Sequence, residues 1–200
     1  MEDFNTKKEF TLMLESGGFV VFSPQILQNF IEEKSINNQN LLEHFVNHPK
    51  DGDEVITSGI TIPVYPIPVQ DYLIIVTNEL ESEDILPNDW ILFKHEFPIK
   101  IEDNEVIISD IYAILNWNIN DWVGGTKKYS DFGMANNFSL KNRNYLMQVI
   151  GFCQSKNDPQ SKFGYILKFE ETENFNLFEV GDRSIEDLNF TVVPDKLIAL

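Results

Sequence analysis

Residues Phe10-Thr11-Leu12-Met13-Leu14-Glu15-Ser16-Gly17-Gly18-Phe19-Val20-Val21-Phe22 set the first expectation for the fold. Phe10, Leu12 and Leu14 alternate with Thr11 and Met13, the period of a strand with one buried face. Ser16-Gly17-Gly18 then breaks the run, and Phe19 to Phe22 return as a second apolar strand. Paired glycines reach positive φ without a Cβ clash, so the pair reads as the turn of a β-hairpin.

Working outward, Ser23-Pro24 reads as a helix cap with proline in the first turn. Ile26, Leu27, Phe30 and Ile31 follow at helical spacing. Leu41, Leu42, Phe45 and Val46 predict a second short helix stopped by Pro49. From about residue 53 the texture is that of strands. Pro63, Pro66 and Pro68 each remove a ladder donor, so residues 55–69 read as an edge strand or an extended crossing segment. Buried strands are expected at 71–76, at 90–97, and from 105 through Tyr112 and Leu115. Three more, at 145–152, 163–169 and 175–180, would form a meander, with a closing helical turn at 184–188. Residues 116–141 are rich in Asn, Gly, Trp and Lys without a clear period. The expected fold is α+β and β-rich. It has a mostly antiparallel sheet, an amino-terminal hairpin and one or two short helices, in a single domain over 1–200 with a long loop or insertion at 116–141.

Composition narrows the function. The 200 residues hold 32 Asp and Glu against 15 Lys and Arg, a formal net charge of −17. Such a chain is repelled by phosphate backbones and by anionic membranes, so neither nucleic acid nor membrane is an expected partner. The single cysteine, Cys153, excludes an intrachain disulfide. The beginning of the chain lacks a secretory pattern and no apolar run approaches membrane-spanning length, which predicts a cytoplasmic protein. Residues 79–110 carry ten acids against Lys94 and Lys100, and 170–195 carry eight against Arg183. These blocks read either as solvated faces or as an acidic surface for a basic partner. Glu79, Glu81, Glu83 and Asp84, with Glu102 and Asp103, are the candidate contacts. Trp117 and Trp122 join them as aromatic anchors. They could equally tuck their segment onto the body.

No catalytic set stands out. His44 and His48 are four apart, as zinc-binding pairs are, but His48 precedes Pro49 and no HExxH pattern accompanies them. Gly124-Gly125-Thr126-Lys127-Lys128 lacks the first glycine of a phosphate loop. Cys153 ends an apolar strand as a buried thiol would. Carboxylate pairs are inevitable among 32 acids and select nothing. The expectation is a protein that is not an enzyme and uses no metal or cofactor.

Leu14-Glu15-Ser16-Gly17-Gly18-Phe19-Val20-Val21-Phe22-Ser23-Pro24 resembles the opening of one family of bacterial polymorphic-toxin immunity proteins. That family opens on an acidic-Ser-Gly-Gly hairpin turn, an apolar strand and a proline-led helix. The order from Val64-Tyr65-Pro66-Ile67-Pro68-Val69 through Tyr72-Leu73-Ile74-Ile75-Val76 to Asp89-Trp90-Ile91-Leu92-Phe93 is similar as well. The resemblance covers about the first half of the chain. It departs where the family tends to carry a tryptophan before the Glu-Ser pair, since Leu12 to Leu14 fill those positions here. It implies an immunity protein that binds and neutralises a cognate protein toxin, acidic where that toxin is a basic nuclease. The alternative from another class is a non-enzymatic interaction module of a phage or secretion-system assembly.

Overall fold

A computed structural model describes residues 7–78, 86–122, 127–173 and 188–194. The strands are β1 (Lys7–Met13), β2 (Phe19–Phe22), β3 (Thr61–Val64), β4 (Asp71–Thr77), β5 (Ile91–Lys100), β6 (Glu105–Asp110), β7 (Ala135–Ser139), β8 (Asn144–Cys153) and β9 (Phe163–Glu171). The helices are α1 (Pro24–Glu33), α2 (Leu41–Asn47), α3 (Pro49–Thr57) and the single turns α4 (Tyr112–Leu115) and α5 (Lys127–Ser130). One sheet has the order β1-β4-β9-β8-β5 and the other β3-β2-β6-β7. Every pairing is antiparallel except β4 with β9, so the fold is a β-rich α+β arrangement. No helix among the described residues is long and apolar enough to cross a membrane.

Strand alternation explains the layers. On β2, Phe19 and Val21 point between the sheets, where they meet Ile74, Val149 and Tyr165 in one buried cluster. Phe19 lies edge-on to Tyr165 at 5.0 Å. Val20 and Phe22 point the other way and pack with Leu27 and Phe30 of α1. Both faces of β2 are therefore buried, which is why the strand is apolar at all four positions. The five-stranded sheet carries its own small outer cluster of Ile75, Ile150, Phe152 and Ile166.

Four expectations are corrected. First, β1 and β2 do not form a hairpin. β1 pairs with β4 in one sheet, whereas β2 pairs with β3 and β6 in the other. The Ser16-Gly17-Gly18 stretch is a crossover between sheets. A Cβ on Gly18 would stand 2.8 Å from the Val64 carbonyl oxygen, and one on Gly17 3.2 Å from that of Ile67. Close backbone approach, locked by the Ile67 N–H donating to the Gly17 carbonyl at 2.9 Å, is what requires the glycines.

Second, Pro49 begins a helix instead of only ending one. It occupies the first turn of α3, which runs to Thr57 and takes Val55 out of the expected strand. The edge-strand reading holds for β3, where Pro63 sits on a strand that ends its sheet. Third, Tyr112 to Leu115 form a helical turn and do not continue β6. Fourth, the segment expected as a loop contains α5 and the paired strand β7, with Val106 opposite Phe138. Only one side of β7 is paired, and Asn136 and Asn137 hide its alternation. The expected strand at 175–180 and residues 184–187 of the closing turn lie outside the described residues.

Candidate functional site

The described acidic candidates, Glu102 and Asp103, are exposed on the turn between β5 and β6. Asp103 and Asn104 take φ values of 58° and 55°, the left-handed region that Asp and Asn tolerate best among side-chain-bearing residues. The Ser23 hydroxyl donates to the Glu102 carbonyl at 3.1 Å and accepts from the Glu102 N–H at 3.2 Å. Ser23 was expected to cap α1, yet no side-chain capping bond forms. Across the turn, the Asn104 N–H donates to Asn142 Oδ1 at 2.6 Å and the Ile101 N–H to the Arg143 carbonyl at 2.9 Å. Two carboxylates are thus displayed on a backbone pinned from three sides. Glu79, Glu81, Glu83 and Asp84 lie outside the described residues.

The two tryptophans are placed differently from the aromatic-anchor expectation. Trp117 is 6% exposed and Trp122 is 2% exposed, so neither presents an indole to a partner. Both stand edge-on to Phe22, at 5.6 and 5.2 Å, and Tyr129 stacks on Trp122 at 4.9 Å. The Trp117 indole N–H donates to Gln28 Oε1 on α1 at 2.9 Å. A large ring with its one polar group satisfied is stable in a core, and here the rings fasten the segment after β6 to the helical layer.

The chemical candidates are accounted for by local structure. His44 Nε2 lies 3.0 Å from Asp51 Oδ2, and His48 Nδ1 lies 2.9 Å from the His44 carbonyl, with the imidazoles stacked at 4.2 Å. They hold the α2–α3 corner. No group of three or more potential ligands is gathered for a metal among the described residues. Cys153 is buried at the end of β8. His95 stacks on Phe93 at 5.0 Å and meets Phe190 edge-on at 5.4 Å. Burial there pushes its pKa down. Residues 124–126 lie outside the described residues.

One structural element was not foreseen. Asp110, the last residue of β6, is 1% exposed and clamps the Glu15-Gly18 crossover. Its Oδ2 accepts the N–H groups of Glu15 at 2.7 Å and Ser16 at 3.0 Å, and its Oδ1 accepts the Tyr112 N–H at 2.7 Å. The Ile111 N–H adds a bond to the Gly18 carbonyl at 2.9 Å. A carboxylate one residue beyond the apolar run Val106-Ile107-Ile108 was the available signal, because a buried acid must find donors.

No protein-family model matches the chain, and no curated protein matches it. Among solved structures the chain is similar to ComJ of Bacillus subtilis, an inhibitor of the DNA-degrading activity of NucA. The two are 13% identical with a TM-score of 0.45, over 86% of this chain and 100% of that one. A structure described as crocagin biosynthetic gene J is 8% identical with a TM-score of 0.44, over 84% of this chain and 97% of that one.

Proposed function

We propose that the chain is an immunity-type binding protein that neutralises a cognate bacterial toxin, a basic nuclease-type domain, by stoichiometric association through an acidic surface. The observation that carries the reading is the net charge of −17 concentrated in two acidic blocks. A field of that sign repels nucleic acid and accelerates encounter with a cationic protein. The resemblance of Leu14 to Pro24 to the opening of toxin-immunity proteins supports the same reading. The Glu102-Asp103 turn supports it further, since carboxylates on a pinned backbone lose little freedom when a partner engages them.

The test is recovery of the partner from the native bacterium's lysate on the immobilised protein, with a salt step for elution. Co-expression of the recovered domain with and without this chain follows. The expected result is one basic toxin domain at equal stoichiometry, whose lethality the chain suppresses and whose association slows with salt. Reversing Glu81, Glu83 and Asp84 to lysine together should slow association further. Recovery of only self, or of a structural assembly without protection from any toxin, would refute the proposal.

A further inference from the structure

The two sides of the sandwich are closed by different means. On one side the chain itself joins β1 to the region of β7. The Met13 N–H donates to the Gly133 carbonyl at 2.9 Å, and the Lys8 ammonium donates to the Asn137 carbonyl at 2.7 Å. On the other side the sheet edges are β5, with 10 residues, and β3, with 4. The Lys100 N–H donates to the Gly59 carbonyl at 2.8 Å, which ties only the last residue of β5 to the chain leading into β3. Beside the earlier part of β5 lie residues 188–194, which belong to no strand or helix. Phe190, Val192 and Val193 are buried there, in the cluster between the sheets. The Phe190 ring sits among Phe93, His95 and Phe97 of β5, at 5.9, 5.4 and 6.4 Å. The Tyr165 hydroxyl of β9 donates to the Phe190 carbonyl at 2.8 Å. Gly151 on β8 leaves the room: an added Cβ would stand 2.7 Å from Val192 Cγ1 and 2.3 Å from the Phe93 ring.

What holds this segment differs from what holds its surroundings. Among the described residues no backbone–backbone hydrogen bond joins 188–194 to either sheet. Its attachments are buried side chains, the Tyr165 hydroxyl and a bond between the His95 ring and the Asn189 backbone. The strands it covers, β5, β8 and β9, are tied to one another by ladders. Backbone held without a ladder opens at lower cost than the strands beneath it. We infer that residues 188–194 are a strap that releases as a unit, ahead of the rest of the fold, when His95 takes up a proton, uncovering an apolar slot beside β5. The trigger is local. The His95 ring stacks on Phe93 at 5.0 Å and meets Phe190 edge-on, and Val149 stands opposite it on β8. Lys94 and Glu96 flank it in β5 but alternate to the outer face, where Glu96 accepts from Gln148 Nε2 at 3.0 Å. Among the described residues no carboxylate or ammonium faces the ring. Burial lowers its pKa and the Asn189 bond raises it, burial being the larger influence. The open strap therefore leaves His95 the better base. The strap is closed above the ordinary histidine value of 6.5 and is released as pH falls through the lower pKa of the closed form.

Hydrogen exchange of the full chain, read by mass spectrometry at about pH 7.5 and about pH 5.5 and corrected for intrinsic rates, tests both the strap and its trigger. The amides of 190–193 should be less protected than those of β8 at both pH values. Their protection should fall about threefold to tenfold at the lower pH, tenfold being the ceiling because one proton is taken up per opening. His95→Gln keeps a side-chain N–H for the Asn189 backbone but cannot charge, and it should abolish this response. Phe190→Leu should speed exchange in the strap at both pH values and leave β8 as it was. Strap protection that is the same at the two pH values in the native chain overturns the proposal without any variant. So does exchange of the strap only in step with β8, which would make it part of the global fold. A pH response that survives in His95→Gln, or equal acceleration of strap and β8 in Phe190→Leu, overturns it as well.

Discussion

Removing the Asp110 carboxylate should loosen the crossover between the sheets, and the structure sets the size of the effect. Three backbone N–H groups, from Glu15, Ser16 and Tyr112, end on its two oxygens at 2.7 to 3.0 Å. A hydrogen bond to a charged group contributes about 1.5–3 kcal/mol, and an orphaned buried donor costs about 1–3 kcal/mol. The Glu15 and Ser16 donors lie in a surface crossover that water can reach once the carboxylate is gone, so the three bonds do not add in full. Asp110→Ala should destabilise the fold by about 3 kcal/mol. Asp110→Asn keeps one oxygen, best used for Glu15 and Ser16, and sets its NH2 against the Tyr112 N–H, so about half that loss is expected. Urea unfolding reads this directly. With a slope of about 2.5 kcal/mol/M, the alanine variant should lower the midpoint by about 1.2 M at an unchanged slope. Ser109→Ala removes only a 3.3 Å bond to the Met134 carbonyl and serves as the control, with a loss below about 1 kcal/mol. Hydrogen exchange at the Glu15, Ser16 and Tyr112 amides should accelerate in the Asp110 variants alone. An alanine variant that loses less than about 1 kcal/mol would refute the clamp, because water would then satisfy the three donors as well as the carboxylate does.

Trp122→Ala should cost about 3–5 kcal/mol in chemical denaturation, since it empties the space between Phe22 and Tyr129, and an indole serving only as an exposed anchor would cost far less. Gly18→Ala drives a Cβ to 2.8 Å from the Val64 carbonyl and should destabilise by about 1–3 kcal/mol; a neutral or stabilising effect in thermal melts would contradict the close crossover. Burial among Phe93 and Phe190 lowers the His95 pKa below its ordinary 6.5, so the unfolded chain takes up the proton first as pH falls. The stability that neutral His95 contributes is then present above pH 6.5 and is lost as pH drops below that value through the folded pKa. His95→Phe should flatten that part of the stability–pH curve, and an unchanged slope would place the acid sensitivity elsewhere.

How much of this was legible beforehand depends on what a local pattern encodes. A short continuous apolar run marks a strand buried on both faces, and β4, β8 and β9 were readable for that reason. It does not state which strand lies alongside. Glycines between two apolar runs are the ordinary mark of a hairpin, yet β1 finds its partner in β4, beyond three helices and a whole sheet edge. The glycines were needed for another reason, the approach of residues 64–67, which no spacing within 14–24 reveals. Likewise β7 went unread because its one large inward side chain, Phe138, sits among asparagines, and pairing with β6 makes it a strand.

The candidate site shows the same division. Charge can be counted along a chain, but its use cannot. Asp110 belongs numerically to the acidic block at 79–110, yet it is spent inside the fold holding a crossover, whereas Glu102 and Asp103 in the same block are displayed. The aromatics divide in the same way. Trp122 reads equally as an interface anchor or as core in the sequence, and only its position against Phe22 makes it core. The Asp110 clamp and the β6–β7 pairing fix where the chain turns at the end of the four-stranded sheet. Asp110 variants should therefore loosen that end of the sheet before the rest of the fold, and faster exchange at the Glu15, Ser16 and Tyr112 amides at unchanged exchange in β8 would show it.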